Sequence, residues 1–499
     1  MSAPSVSSSR DAAVIDIGSN SVRLVIYRLD GRAIWTVFNE KVLAGLGRDV
    51  ARTRRLSPEG VATTLTTLKR FQAVLGASDH NHAFAVATAA VREAVDGADF
   101  VRRVRDETGL EVRVLSGPEE ARYSALGVLA GAPDADGLAG DLGGSSLELT
   151  FVSGGEPRDG VSLPLGPFAL RGGESFDPVR VRQRTAKVLD DIDGRFATRS
   201  FYAVGGGWRN LALLQMRIAG YPLQIVHQYD IASADALDAA RFIARQSKGS
   251  LERIPGVSKR RLETIPYAAV VLESLIERLG IERITISAYG LREGLLFEAM
   301  EPAVRALDPL IEGCISMSAR EGVDEALGPA LEAWLTPVFS RLTPFFEGRD
   351  ARLTAAVCHL ADLGARLHPD HRADLVFEQV LRAPIPGLSH PERAFLAVAL
   401  FARHTASDPA PEPALLRRIL SDDQHQRARA LGAAVRLGCD LSGRSARLLG
   451  KSRLEIQGPA IRLSADERWA DMLLGEQTAK RASTLADQLD LGLKIGGGR

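Results

Sequence analysis

Two short stretches carry the same polar residues at the same spacing. In "DIGSNSVRLVIY", Asp16, Gly18, Ser21 and Leu24 stand at the offsets that Asp141, Gly143, Ser146 and Leu149 occupy in "DLGGSSLELTF". A turn of glycine and serine lets successive backbone N–H groups point into one concavity, which favours an anion. Gly18, Gly143 and Gly144 leave the backbone open to close approach, and Ser19, Asn20, Ser21, Ser145 and Ser146 offer further donors. Asp16 and Asp141 cannot attract phosphate themselves, but beside it they suit a hydrated Mg²⁺ that bridges carboxylate and phosphate. Glu148 follows Asp141 by seven positions. In an unbroken strand that odd offset would put the two on opposite faces, but the intervening turn breaks the count. One such turn is an ordinary hairpin. Two with matching contents point to a duplicated fold that grips phosphate.

A further set of candidates lies near helix starts. In "LSGPEEARYSAL", Pro118 suits a first helical turn, with Ser116 or Gly117 as its cap. With Ser116 as cap, Glu119 takes the capping-box position and Glu120 points elsewhere. The helix dipole also favours carboxylates there, so the residues alone leave both glutamates open between structural and chemical roles. Arg92 in "ATAAVRE", taken alone, reads as a solvated helix residue. "AVGGGWRNLA" sets three glycines and Trp208 before a helix, which reads as a plain strand-to-helix turn. Arg292 and Glu293 in "SAYGLREGLLFE" read as a structural pair.

The elements that must position these residues change character along the chain. From about residue 11 to 300, "AAVID", "SVRLVIYRL" and "AIWTVFNE" read as strands, and "SPEGVATTLTTLKRFQAVLG" reads as a helix capped by Ser57. "HAFAVATAA" is a strand running into one helix, "AAVREAVDGADFVRRVRDETG", and the hairpin pattern restarts at Leu138. Beyond Glu301 amphipathic helical patterns follow to about residue 440, and the last fifty or so residues return to short alternating stretches. The expected segments are a disordered tail over 1–10, lobes over 11–130 and 131–302, a helical domain over 303–445 and a small α+β module over 446–499.

Composition sets the outer limits. A length of 499 residues with 45% hydrophobic and 25% charged residues fits several globular domains. Lys+Arg and Asp+Glu both total 62, which argues against a nucleic-acid coat and predicts no DNA partner. Locally basic tracts at 51–56, 258–263 and 415–420 leave room for a polyanion path, although each alone is an ordinary solvated face. The three cysteines are far apart, which fits a reducing compartment and no zinc site. "MSAPSVSSSR" lacks the apolar core of a signal peptide, and no stretch is long enough to span a bilayer, so a cytoplasmic protein without a membrane partner is expected.

Taken together, "VIDIGSNSVRLVIY", "VATAAVREA", "LSGPEEARYSALGVL", "GDLGGSSLELT" and "SAYGLREGLLFE" resemble the exopolyphosphatase and guanosine pentaphosphate phosphohydrolase (Ppx/GppA) family of the actin, sugar kinase and Hsp70 superfamily. The resemblance implies an α/β fold with a duplicated actin-like, ribonuclease H-like two-lobe core. It implies in-line attack of water on a terminal phosphoryl group, with Glu120 as general base. Mg²⁺ would be held by Asp141 and Glu148 with Asp16. Ser19, Asn20, Gly143, Gly144 and Ser145 would cradle the phosphoryl, and Arg92 would clamp it. "AAVCHLADLGARLHPDHRADLVF" resembles an HD phosphohydrolase helix pair, but Ala361 stands where its histidine belongs and His359, His368 and His371 are off the spacing, implying a degenerate domain. The expected activity is processive exopolyphosphatase action on inorganic polyphosphate, with guanosine pentaphosphate as the alternative substrate and a homodimer as the assembly. A non-catalytic phosphate sensor, disfavoured by the intact Glu120, Asp141 and Glu148, and a sugar or acetate kinase, disfavoured by the Glu120 motif, are the remaining readings.

Overall fold

The first apolar alternation folds as β1 (Arg10–Ile17) and β2 (Ser21–Asp30), antiparallel, with Asp16 opposite Arg23 across the turn. β3 (Ala33–Leu43) continues the meander, while β4 (Ala83–Ala87) and β5 (Val112–Val114) add in parallel on the other side of β1, giving the order β3-β2-β1-β4-β5. The second lobe repeats this plan with β6 (Gly137–Leu142), β7 (Leu147–Ser153), β8 (Glu156–Leu163), β9 (Ser200–Val204), β10 (Tyr229–Ala232) and β11 (Arg283–Ile286), in the order β10-β11-β9-β6-β7-β8. The repeated motif is thus a repeated topology. β10, an antiparallel edge strand of four residues, is too short to stand out in the sequence. The computed structural model describes residues 9–77, 83–171, 175–253, 262–319, 324–407 and 409–498, so most of the expected N-terminal tail and of the tract at 258–263 lies outside them.

Two helices join the lobes. Gly117–Gly131 buries Tyr123 and Leu126 against β1 and β2, and Ala125, Val128 and Leu129 against Ala139 and Val152 of the second sheet. Leu291–Glu298, although it follows the second lobe in the chain, packs Leu291, Leu295 and Leu296 onto the first sheet. They cross where side chains are absent: a Cβ on Gly294 would come 1.8 Å from the Tyr123 carbonyl, and one on Gly127 2.0 Å from that of Gly290. Only glycine permits this approach.

The single helix expected after β4 is two, Ala89–Glu93 and Gly97–Thr108. The break has a lateral cause: Val95 N–H donates to the Arg54 carbonyl at 2.9 Å, and Asp96 accepts from Leu56 N–H at 3.0 Å. The helix Pro58–Gly76 begins as expected, with the Ser57 hydroxyl accepting from Gly60 N–H.

The chain divides into two compact units, Met1–Ala306 and Leu307–Arg499. The second begins with amphipathic helices, among them Leu327–Phe339, His390–His404 and Asp422–Ser442, and ends in a small sheet of β12 (Ser452–Gln457), β13 (Ala460–Asp466) and β14 (Gly492–Gly498). Cys314, Cys358 and Cys439 are buried free thiols. Among the described residues no helix is long and apolar enough to cross a membrane.

Candidate active site

The two glycine–serine turns are held alike. Gly18 N–H donates to the Ser21 carbonyl at 3.0 Å, and Gly143 N–H to the Ser146 carbonyl at 2.9 Å. Each loop's next two carbonyls are taken by the segment after the lobe's third strand. Gly47 and Gly45 N–H donate to Ser19 and Asn20 at 2.7 and 3.1 Å, and Phe168 and Gly166 N–H donate to Gly144 and Ser145 at 2.9 and 3.1 Å. With their carbonyls satisfied on one side, the loops can present N–H groups to the other. They meet each other: a Cβ on Gly144 would lie 3.0 Å from Ser19 Cβ and 3.3 Å from Asn20 N.

A cleft with about 1130 Å³ of empty space, part of it open to solvent, gathers Asp16, Ser19, Asn20, Glu120, Asp141, Gly143, Gly144 and Glu148. Two expected residues stand elsewhere. Ser145 is buried and does not line the cleft, its backbone packed so tightly on Gly166 that a Cβ there would come within 2.5 Å of Ser145 Cα. Arg92 is behind the wall, where Nη1 donates to Glu120 Oε2 at 2.9 Å and to the Leu115 carbonyl at 2.8 Å. Its direct contact is with the candidate base.

The neighbouring glutamates have different surroundings. Glu119 closes the capping box, accepting from Ser116 N–H at 2.8 Å and Ser116 Oγ at 2.7 Å, and pairs with Arg113. These bonds, those from Ser116 first, draw its carboxyl down to about 2. Glu120 is 7% exposed. Burial pushes its carboxyl up to about 7; Arg92 opposes that rise, while Asp141 and Asp16 add to it.

Asp141 and Glu148 are direct partners across β6 and β7, so their side chains share a face. Asp141 accepts from Ser124 Oγ at 2.6 Å, and Glu148, 2% exposed, accepts from Ser162 Oγ at 2.8 Å. Burial raises both carboxyls, Glu148 well above the usual range, with Glu120 and Asp141 adding to the rise at Glu148. Asp16 faces Arg292, whose Nη1 donates to Oδ2 at 3.3 Å. Among the described residues no three His, Cys, Asp or Glu side chains form a ready metal cage. That donor set still fits Mg²⁺, which is commonly held by one or two carboxylates with water and substrate phosphate completing the shell. The mutual repulsion of Glu120, Asp141 and Glu148 is the charge such a cation relieves.

Sequence reasoning missed Ser124, Ser162, Arg23, Lys41 and Arg209. Ser124 follows Glu120 by four positions and so shares its helix face, a spacing readable from the sequence. Ser162 meets Glu148 only through the β7–β8 register. Trp208 is turned into the lobe core, its Nε1 donating to the Ala268 carbonyl at 3.0 Å. In the second unit Asp362 is 4% exposed and lies 3.4 Å from Arg444 and 3.8 Å from Arg403. Arg52, Arg54 and Arg55 are exposed, as are Arg417 and Arg418.

A duplicated lobe with paired glycine–serine loops defines an actin-like fold. Residues 25–303 match the model of the Ppx/GppA phosphatase family, and residues 345–494 match that of the exopolyphosphatase C-terminal region. The chain belongs to the Ppx/GppA phosphatase family and is a phosphohydrolase. Exopolyphosphatase 1 of Mycobacterium tuberculosis is 28% identical over 301 residues, covering 58% of this chain and 88% of that protein. Retrograde regulation protein 2 of Saccharomyces cerevisiae is 26% identical over 441 residues, 80% of this chain and 73% of that protein. The crystal structure of the Aquifex aeolicus family member covers 58% of this chain and 96% of its own at 27% identity, with a TM-score of 0.51. An exopolyphosphatase structure from Cytophaga hutchinsonii, at 24% identity and a TM-score of 0.54, covers 58% of this chain and 97% of its own and shows the same fold.

Proposed function

We propose that the chain is an exopolyphosphatase that removes orthophosphate from the end of inorganic polyphosphate. The observation that carries this reading is the convergence of both glycine–serine loops and the buried Glu120 on one cleft. The relatives named exopolyphosphatase support the substrate class.

Backbone N–H groups at Gly144, Ser19 and Asn20 hold the terminal phosphoryl and fix its orientation. Glu120, with a carboxyl near neutrality, orients a water and takes its proton as the oxygen bonds to the terminal phosphorus. The bond from that phosphorus to the bridging oxygen breaks, and the shortened chain leaves with the electron pair. Arg92 keeps the Glu120 carboxylate aimed and favours its ionised form. Asp141 and Glu148, with Asp16, would hold Mg²⁺, which supplies neutralisation of the oxygens around the breaking bond. Retention of the shortened chain between cuts is the processive form of this reading.

Guanosine pentaphosphate is the second substrate reading, favoured by the glycine turn Gly205–Gly207 in the cleft wall. The test is orthophosphate release from long polyphosphate and from guanosine pentaphosphate, side by side with Mg²⁺. Release from polyphosphate is expected; release from the nucleotide alone would transfer the assignment.

A further inference from the structure

One helix bears on both the candidate base and the candidate metal ligands. Glu120 and Ser124 stand four positions apart on Gly117–Gly131 and so share a helix face. Glu120 borders the cleft, while Ser124, 3% exposed, donates from Oγ to Asp141 Oδ2 at 2.6 Å. A second hydroxyl comes from the sheet. Ser162 on β8 stands directly opposite Glu148 on β7, as Glu148 stands opposite Asp141 on β6. Directly opposed side chains share a face, and Ser162 Oγ accordingly donates to Glu148 Oε1 at 2.8 Å.

The same helix begins against Ser162. A Cβ on Gly117 would come 2.8 Å from Ser162 Cβ and 3.4 Å from its Oγ, so a missing side chain is what lets the helix start this close to the hydroxyl. Neither serine is among the described residues lining the cleft, so each acts on the site through its carboxylate. In the first lobe Asp16 meets the Arg292 guanidinium instead, at 3.3 Å. Each serine bond pins one oxygen of its carboxylate and thereby fixes how the other is turned. A hydrogen-bond partner of this kind orients a metal-holding carboxylate and sets its affinity.

We propose that Ser124 and Ser162 are positioning residues. Their hydroxyls turn Asp141 and Glu148 to hold Mg²⁺, and the helix Gly117–Gly131 ties that setting to the place of Glu120. This rests on the hydrolase reading above, in which the two carboxylates would carry the cation.

The test uses the full chain and Mg²⁺ as the probe, titrated calorimetrically without substrate. The proteins compared are wild type, Ser124→Ala, Ser162→Ala, Ser124→Thr and Gly117→Ala. Ser274→Ala is the control: that hydroxyl is also buried, but it donates to the Val270 carbonyl of its own helix. Thermal melts establish that each variant is folded. Both alanine variants at the proposed positions should bind Mg²⁺ about tenfold to a hundredfold more weakly. Ser124→Thr, which keeps the donor, and Ser274→Ala should stay within about threefold of wild type. Gly117→Ala leaves both hydroxyls in the chain but sets a Cβ 2.8 Å from Ser162 Cβ, so it should weaken Mg²⁺ as Ser162→Ala does. Orthophosphate release by Ser124→Ala and Ser162→Ala should recover at raised Mg²⁺, whereas a merely structural loss would lower turnover at every Mg²⁺ concentration. Unchanged Mg²⁺ affinity in both folded variants overturns the proposal, as does turnover that raised Mg²⁺ fails to restore. A wild type that binds no Mg²⁺ yet releases orthophosphate overturns the positioning role and keeps the hydrolase reading. A chain whose Mg²⁺ affinity depends on both serines but that releases no orthophosphate upholds the positioning role and overturns the hydrolase reading.

Discussion

Replacing Glu120 by glutamine should cost activity and gain stability together. The side chain keeps its size and its place beside Arg92, but it can no longer accept a proton from water, so turnover should fall about 10²–10⁴-fold. The stability change follows from linkage. Glu120 is 7% exposed, and its carboxyl moves from the ordinary 4.5 to about 7, burial being the largest cause. A carboxyl raised in the folded state leaves stability intact below its unfolded value and removes it as pH climbs through the folded one. Wild type therefore loses about 3 kcal/mol between pH 4.5 and about 7, a loss that a permanently neutral glutamine avoids. For a unit of this size that corresponds to about 5 °C in melting temperature. The assay pairs orthophosphate release with melts at pH 4.5 and pH 8 in EDTA. A gain at pH 8 that vanishes at pH 4.5, in a variant that has lost turnover, is the expected result. Near-normal turnover would remove Glu120 as base, and an equal or lower melting temperature at pH 8 would refute the electrostatic reasoning.

The other predictions act on neighbouring parts of the site. Arg92→Ala removes the group that opposes the rise at Glu120, so kcat should fall and the acid limb of the pH–rate profile should move to higher pH; an unmoved limb would detach Arg92 from the base. Gly144→Val places side-chain atoms where a Cβ alone is already 3.0 Å from Ser19 Cβ, so the loops must part and KM should rise at least about tenfold in a protein that still melts cooperatively. Chelation of divalent cations should abolish orthophosphate release, with recovery on adding Mg²⁺, and added Mg²⁺ should shrink the pH 8 stability gain of Glu120→Gln by relieving the same repulsion; activity that survives EDTA would remove the metal from the account.

Much of this was legible because it is local. The matching loops announce a duplicated lobe, and Ser57 and Ser116 announce helix starts, since turns and caps are written in adjacent residues. What stayed hidden depends on register and packing. The capping box that occupies Glu119 was open to the sequence, but that Glu120 is then buried beside Arg92 was not. Ser162 acquires meaning only once it stands opposite Glu148, a relation created by a strand pairing. Ser145 looked equivalent to Ser146 in the string, yet only Ser146 lines the cleft, while the Ser145 backbone packs on Gly166. The helix break at 94–96 comes from bonds to residues forty positions earlier, which no periodicity records.

A crystal structure of Glu120→Gln with tripolyphosphate and Mg²⁺ tests the central claim most directly. The account predicts the terminal phosphoryl between the amides of Gly144 and Ser19–Asn20, with residue 120 facing the side opposite the bridging oxygen. Tripolyphosphate bound outside the cleft, or on one lobe with the other loop turned away, would contradict it.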